Sequence, residues 1–152
     1  MARTICLAAA FGILAWPASA DWVFLGGPPD GDDFDICLLG YETDTTGFMI
    51  WSDEKSVAAI LADSTWQLGD GFEGWAGVQF GAGDNTAFSV QKSDEFTVLA
   101  PLADDQWLHI IGQLFQNVPG TVVTHDAQVW TLPAGASDVV AQWTACIVPG
   151  VS

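Results

Sequence analysis

Short apolar runs separated by turn-forming residues fill most of the chain, and this pattern limits the folds open to it. Residues 34–41 and 75–80 alternate between apolar and polar positions, which is typical of strands with one buried face. A turn at 81–85 joins the second run to 86–90 and predicts a hairpin. Similar runs predict the remaining strands, at 22–25, 47–51, 56–61, 95–99, 121–124 and 128–132.

The spacing changes to a helical one after residue 103. Apolar residues recur on one predicted helix face after Asp104 and Asp105, at Trp107, Leu108, Ile111, Leu114 and Phe115. Ser137 is in a capping position for a second helix that contains Trp143 and Cys146. The sequence therefore predicts an α+β fold: mainly antiparallel β-sheet, as an open barrel or sandwich, with two helices in the C-terminal half.

The N-terminal residues have the pattern of a secretory signal peptide. Arg3 precedes an apolar stretch over 5–16, and Ala18 and Ala20 form the small-residue pattern that signal peptidase cleaves. A membrane-spanning helix needs about 20 apolar residues, and neither this stretch nor any later one reaches that length. We expect residues 1–20 to be a signal peptide, 21–152 to be a single mature domain, and the protein to be periplasmic or secreted.

Two cysteines, Cys37 and Cys146, lie beyond the predicted signal peptide. In an oxidising compartment a pair of cysteines favours one disulfide. A redox pair is usually a local Cys-x-x-Cys, and a thiolate metal site usually has more ligands close by. The sequence therefore predicts a structural Cys37–Cys146 disulfide.

The charge balance restricts the partners of this chain. It has 3 Lys and Arg against 19 Asp and Glu, and beyond residue 20 only Lys55 and Lys92 oppose the acidic residues, for a net charge of −17. Binding to nucleic acids or to anionic membranes needs clustered basic residues, so both are excluded. A cationic protein partner fits this charge, and so does a surface that only keeps the protein in solution.

Two tryptophans flank an acidic loop and form the best ligand-binding candidate. Trp66 and Trp75 enclose Asp70 and Glu73, and tryptophans beside carboxylates can stack on sugar rings. The alternative is that these tryptophans belong to the core, where the residue is usually found.

A second acidic loop offers a weak calcium candidate. Asp30, Asp32, Asp33 and Asp35 supply the closely spaced oxygens that calcium prefers. The EF-hand pattern is incomplete because Tyr41 occupies the position of its final Glu. The sequence favours a solvated turn over a calcium site here, and it predicts neither a cofactor nor a resident metal.

Catalytic signals are sparse. His125 precedes Asp126, which can orient an imidazole in a triad, but no Gly-x-Ser-x-Gly motif accompanies the pair. The other histidine, His109, lies on the first predicted helix. No nucleophile, base and orienting group can all be named, so the sequence favours a non-enzymatic protein and names no catalytic residue.

The C-terminal segment resembles the end of small periplasmic proteins of the invasion-associated locus B type. The resemblance rests on residues 132–137 (Leu-Pro-Ala-Gly-Ala-Ser) followed by Trp143 and Cys146. It implies an exported, disulfide-stapled and mostly β protein. It does not extend to the early Trp-x-x-x-Cys region of that family, and it assigns no functional residue.

Together these observations favour an exported, acidic, non-enzymatic protein that binds a partner or supports the cell envelope. One alternative is a periplasmic inhibitor or immunity protein that neutralises a cationic enzyme. Another is a carbohydrate-binding or hydrolytic protein. A cluster of carboxylates on one face would favour the inhibitor, and a pocket containing His125 and a serine would favour an enzyme.

Overall fold

The computed structural model describes residues 21–27, 36–53, 55–83 and 85–147. Nine antiparallel strands form one sheet that curls into a half-barrel, and two helices follow in the C-terminal half. The strands are β1 (Trp22–Gly27), β2 (Ile36–Glu42), β3 (Thr46–Ser52), β4 (Val57–Asp63), β5 (Glu73–Phe80), β6 (Asn85–Asp94), β7 (Thr97–Leu102), β8 (Gly120–Val123) and β9 (Val129–Leu132). The helices are α1 (Asp104–Phe115) and α2 (Ser137–Ile147). The predicted fold class is confirmed.

The strand order is β1-β2-β3-β4-β7-β6-β5-β8-β9. Strands β1 to β4 form a meander, and the meander of β5 to β7 joins it through pairing of β4 with β7. Strand β5 therefore lies deep in the sheet, between β6 and β8. Strand β6 pairs with β5 from Glu73 to Gln79, whereas β8 pairs only with Gly77–Phe80, so the start of β5 is held by β6.

Both helices pack on one face of the sheet, here called the helix face. Its strand residues join Ile110, Ile111 and Leu114 of α1 and Val140 and Trp143 of α2 in one buried cluster. Trp143 is completely buried, and its Nε1 donates a hydrogen bond to the Cys37 carbonyl oxygen at 3.3 Å. Burying such apolar side chains stabilises a domain by about 1.5–3 kcal/mol for each large side chain.

The disulfide links the last helix to the second strand. Cys37 in β2 and Cys146 in α2 are bonded, with their Cα atoms 5.9 Å apart. Since 109 residues separate them in sequence, the bond closes most of the described chain into one loop. The predicted Cys37–Cys146 pairing is confirmed.

Several element bounds differ from the sequence prediction. Strand β6 continues to Asp94 and β7 begins at Thr97, because a register irregularity at Lys92–Asp94 keeps the two strands paired up to the turn. Gly26 and Gly27 belong to β1, although their composition indicated a loop. The predicted face of α1 was wrong in part, since Ile110 is buried whereas Leu108 and Phe115 are 55% and 57% exposed.

Three sequence-based predictions concern residues outside the described ranges, wholly or in part. The signal peptide at 1–20 and the calcium candidates Asp30, Asp32, Asp33 and Asp35 lie outside the described residues, as do the first two residues of the strand predicted at 34–41. In the described part of the chain, neither helix has the length and apolar character needed to cross a membrane.

Candidate functional site

The sheet has a second face, opposite the helices, and Trp75 stands exposed on it. Side chains alternate along a strand, so Glu73 and Trp75 of β5 point to the same side, away from the buried Ala76 and Val78. Trp75 is 68% exposed, the most exposed large apolar side chain among the described residues. The backbone of Trp75 is paired with Ser89 of β6, and an exposed indole gains contact area when a partner covers it.

An open groove of about 470 Å³ lies beside Trp75. Its lining combines an aromatic ring with a carboxylate, an amide, a hydroxyl and a proline: Glu73, Gly74, Trp75, Ser89, Val90, Gln91 and Pro101. Strand pairing fixes the arrangement, since Trp75 pairs with Ser89 and Glu73 with Gln91. Such a groove can stack a flat or apolar group on the indole and hydrogen-bond polar groups around it.

The four residues predicted as one ligand site are divided by the fold. Glu73 and Trp75 both line the groove. Asp70 is fully exposed, and its carboxylate pairs with the Lys92 ammonium at 3.0 Å. Trp66 is only 5% exposed and belongs to the core under the helix face. Its ring is therefore unavailable to a ligand that occupies the Trp75 groove.

Trp66 instead anchors the turn between β8 and β9. Its Nε1 donates a hydrogen bond to Asp126 at 3.2 Å, and its ring stacks on Trp130 with centroids 5.7 Å apart. Asp126 also accepts hydrogen bonds from the Thr124 hydroxyl at 2.5 Å and the Gln128 amide at 2.8 Å. Partial burial by itself raises the pKa of Asp126, but these hydrogen bonds outweigh it and the pKa lies below the ordinary value. The carboxylate is thus kept ionised, and it connects Trp66, Thr124 and Gln128 through hydrogen bonds.

His125 lies within this turn, between two aromatic rings. Its ring centroid is 4.6 Å from that of Trp66 and 4.6 Å from that of Phe72. Its Nδ1 is buried without a hydrogen-bond partner. A catalytic triad needs the acid to hold the imidazole, whereas the Asp126 oxygens accept hydrogen bonds from Trp66, Thr124 and Gln128. The geometry therefore gives His125 and Asp126 a role in packing this turn.

A smaller pocket of about 260 Å³ lies at the other end of the second face. Four carboxylates line it, from Glu42, Asp44, Asp63 and Asp94, together with the ring of Phe96. Asp63 is 2% exposed and accepts hydrogen bonds from the backbone and hydroxyl of Thr65. Burial raises the pKa of Glu42, and its Oε2 is buried without a hydrogen-bond partner. We call this the acidic pocket.

Sequence reasoning did not identify the acidic pocket. Its four carboxylates come from three separate segments of the chain, and only strand pairing brings those segments together. One local signal was present, since Glu42 continues the alternation of Leu38 and Gly40 and must share their face. Among the residues that the structure describes, no group of three or more histidines, cysteines or acids is arranged to hold a metal ion.

Comparisons with protein-family models, with curated proteins and with solved structures find no match to this chain.

Proposed function

We propose that the protein is an exported, non-enzymatic binding protein that engages a basic protein partner through the second face of its sheet. The observation that carries this proposal is the exposed Trp75 beside its groove, on the face without helices in the described chain. Rigid tryptophans surrounded by polar side chains are the residues that most often dominate binding energy at protein interfaces.

The charge of the chain supports a basic partner. The full chain has a net charge of −16, and the part beyond residue 20 has one of −17. A charge of this size creates a field that attracts cationic proteins and raises their association rate. An inhibitor or immunity protein for a cationic enzyme is the special case in which the partner is itself an enzyme. Export follows from the predicted signal peptide, and the Cys37–Cys146 disulfide is compatible with it. The resemblance to the invasion-associated locus B type favours the same compartment.

Carbohydrate binding is the second candidate, and the lining of the same groove favours it. Glu73, Ser89 and Gln91 place hydrogen-bonding groups around an exposed indole, as a sugar ring requires. The two candidates differ in their response to salt. Association with a basic protein is steered by charge and is screened over about 8 Å at physiological ionic strength, whereas binding of a neutral sugar is nearly independent of salt.

The test is a comparison of Trp75→Ala with Phe115→Ala. Phe115 is 57% exposed and lies on α1, on the other side of the sheet, so the two variants remove similar exposed aromatic rings. Binding to a lysozyme-type cationic cell-wall hydrolase is measured over a salt series. We expect Trp75→Ala to weaken binding about 30-fold, the effect of a loss of about 2 kcal/mol at a hot spot, and Phe115→Ala to have little effect.

Each alternative outcome has a distinct meaning. An association rate that does not fall as salt rises removes the charge-steered partner. Salt-independent binding of a neutral cell-wall oligosaccharide that Trp75→Ala abolishes supports the sugar candidate instead. Equal binding by the Trp75→Ala variant and the parent protein, for both ligands, contradicts the assignment of the groove.

A further inference from the structure

Strand β9 is one edge of the sheet, and it pairs with β8 on one side only. Its hairpin is closed by a hydrogen bond from the Thr124 N–H to the Gln128 carbonyl at 3.0 Å. Hydrogen-bonded and non-bonded pairs alternate along an antiparallel ladder, so the next bonded residue of β9 is Trp130. Val129 and Thr131 therefore direct their backbone N–H and C=O groups away from β8. No described residue bonds to these outward groups.

The β9 edge lacks most of the features that protect edge strands in natural sheets, which are charged residues, prolines, bulges, a covering element and short length. Its sequence is Val-Trp-Thr-Leu, without a charge or a proline, and short length is the one such feature it has. At the opposite edge, α2 packs against β1. The Trp22 Nε1 donates to the Pro133 carbonyl at 2.9 Å, which fixes the chain just beyond β9 and leaves the outward groups of the strand open.

Accessible apolar side chains lie beside this edge on the second face. Val129 is 65% exposed and pairs with Val123 of β8, which is 40% exposed. Val123 in turn pairs with Gly77 of β5, which is two residues from the exposed Trp75 and on the same face. Strands β8 and β9 contain no charged residue. Val129, Val123 and Trp75 thus form an exposed apolar path from the edge to the groove, here called the edge strip.

The outward backbone groups determine the conformation of a ligand at this edge. Val129 and Thr131 each offer one donor and one acceptor, which an extended chain can satisfy by pairing as a further antiparallel strand. Residues paired across such a ladder have their side chains on the same face, so every second side chain of the added segment lies on the second face beside Val129. Because β9 is short, backbone bonds alone bind weakly, and apolar contact with the edge strip adds to the affinity.

We propose that β9 takes up an extended segment of the basic partner as a tenth strand, with apolar side chains of that segment on Val129 and Val123. This inference rests on the proposed function and names the form in which the partner binds. Charge decides between the partner and a second copy. Each copy has a net charge of −17 beyond residue 20, so two copies repel each other, whereas a basic segment is attracted. Exposed carboxylates flank β9 in the sequence, at Asp126 and Asp138, so basic residues suit both ends of the segment.

The probe is a synthetic peptide of about seven residues, with a lysine at each end and threonine and valine alternating between them. Two control peptides carry N-methyl groups, one on its two valine amides and the other on two of its threonine amides. An added strand bonds to β9 along one of its edges only, and the valines that lie on the second face are the residues whose amides bond there. We expect N-methylation of the valines to weaken binding to the exported protein at least about tenfold, and N-methylation of the threonines to change it less than about twofold.

Amide hydrogen exchange locates the added strand on the protein. The amides of Val129 and Thr131 have no partner in the described part of the chain, so we expect the unmodified peptide to slow their exchange. The amide of Trp130 faces β8 and serves as the internal control.

Two variants at one position test the backbone group separately from the side chain. Thr131→Pro removes an outward N–H, and proline is tolerated at edge positions of this kind because no bond to β8 is lost. We expect it to weaken binding of the peptide at least about tenfold. Thr131→Val keeps the N–H and should bind at least as tightly as the parent protein.

Three results would overturn the inference. They are unchanged exchange at Val129 and Thr131 with the unmodified peptide, equal weakening by both N-methylated peptides, and equal binding by Thr131→Pro and Thr131→Val. Self-association that sedimentation detects without peptide, and that Thr131→Pro abolishes, would assign the edge to a second copy instead. None of these results affects the comparison of Trp75→Ala with Phe115→Ala, so this inference can fail while the proposed function stands.

Discussion

At the scale of one residue, Glu42 places a carboxyl group where stability would favour an uncharged side chain. It ends β2 on the same face as Leu38 and Gly40, where an uncharged side chain would pack without cost. Its carboxyl group is partly desolvated, and one oxygen is buried without a hydrogen-bond partner. An unsatisfied charged group of this kind lowers the stability of the folded protein, and such costs concentrate at binding sites.

The first prediction concerns the pH dependence that Glu42 causes. Because burial raises its pKa in the folded protein, the neutral form is favoured there, and its contribution to stability is present below the unfolded pKa and lost as pH rises through the folded one. Glu42→Gln keeps the side chain neutral at every pH. We expect it to increase the free energy of unfolding at pH 7, by about 1 kcal/mol or less because water screens the partly exposed group.

Urea unfolding at pH 7 and below pH 4 measures this effect. The gain in Glu42→Gln should shrink towards zero at the lower pH, where the parent Glu42 is protonated as well. Glu95→Gln is the matched control, since Glu95 is exposed in the turn before β7. A destabilised Glu42→Gln variant at pH 7 would contradict the burial argument.

At the scale of elements, the turn between β8 and β9 is attached to the segment that follows β4. Asp126 reaches Trp66, which is 60 residues earlier in the chain and follows β4. The same carboxylate binds Thr124 and Gln128 within its own turn. The short strands β8 and β9, of which β9 is the edge, are therefore attached to the main sheet by side chains as well as by pairing of β8 with β5.

The second prediction tests this attachment. Asp126→Ala removes the acceptor of three hydrogen bonds, so we expect a loss of about 1–3 kcal/mol in the free energy of unfolding. Because the hydrogen bonds lower the pKa of Asp126, its contribution is present above the unfolded pKa and lost as pH falls through the folded one. The difference between parent and variant should therefore narrow in acid, as urea titrations at several pH values would show. Equal free energies of unfolding for the parent and Asp126→Ala at pH 7 would contradict the structural role of Asp126.

The sequence predicted the elements better than it predicted the site, for a physical reason. Alternation of apolar and polar residues reports local burial, so the strands could be recognised from their own residues. The limits of β6 and β7 depend on pairing between strands, and the pattern of each run alone does not contain that information. The buried face of α1 was misjudged because Leu108 and Phe115 fit a helical stripe that the sheet does not reach.

The candidate site required long-range contacts that spacing does not reveal. Trp66 and Trp75 flank one short loop, yet one is in the core and the other is exposed on the second face. Glu73 and Trp75 share a face because both lie on β5, which begins at Glu73 and not at residue 75 as predicted. The acidic pocket could not be predicted, since Glu42 and Asp94 are brought together only by four successive strand pairings.

At the scale of the whole molecule, the disulfide stabilises the folded protein, whereas the strong negative net charge destabilises it. Nineteen acidic residues repel one another, and the described ranges contain one salt bridge to a lysine or arginine, between Lys92 and Asp70. The disulfide counters this repulsion by holding α2 against the sheet, where it packs on β1 and β2. We therefore expect the stability of this protein to depend on the disulfide at low salt in particular.

The last prediction measures that dependence. A crosslink between residues 109 apart restricts the unfolded chain, and the chain-entropy model gives a stabilisation of about 4–5 kcal/mol for a loop of this length. We expect the double variant Cys37→Ala, Cys146→Ala to unfold at a clearly lower urea concentration and to keep its strand content by circular dichroism. Trp143 should remain buried, because it packs on α1 and the sheet without help from the sulfur atoms.

A reductant should lower the urea midpoint of the parent and leave that of the double variant unchanged, which controls for other effects of the substitutions. If the reductant leaves the parent unchanged while thiol labelling shows that the bond is broken, the disulfide has no stabilising role. A larger loss at low salt than at high salt would show that the bond also resists charge repulsion, which ties the stability of the fold to the acidic surface proposed for binding.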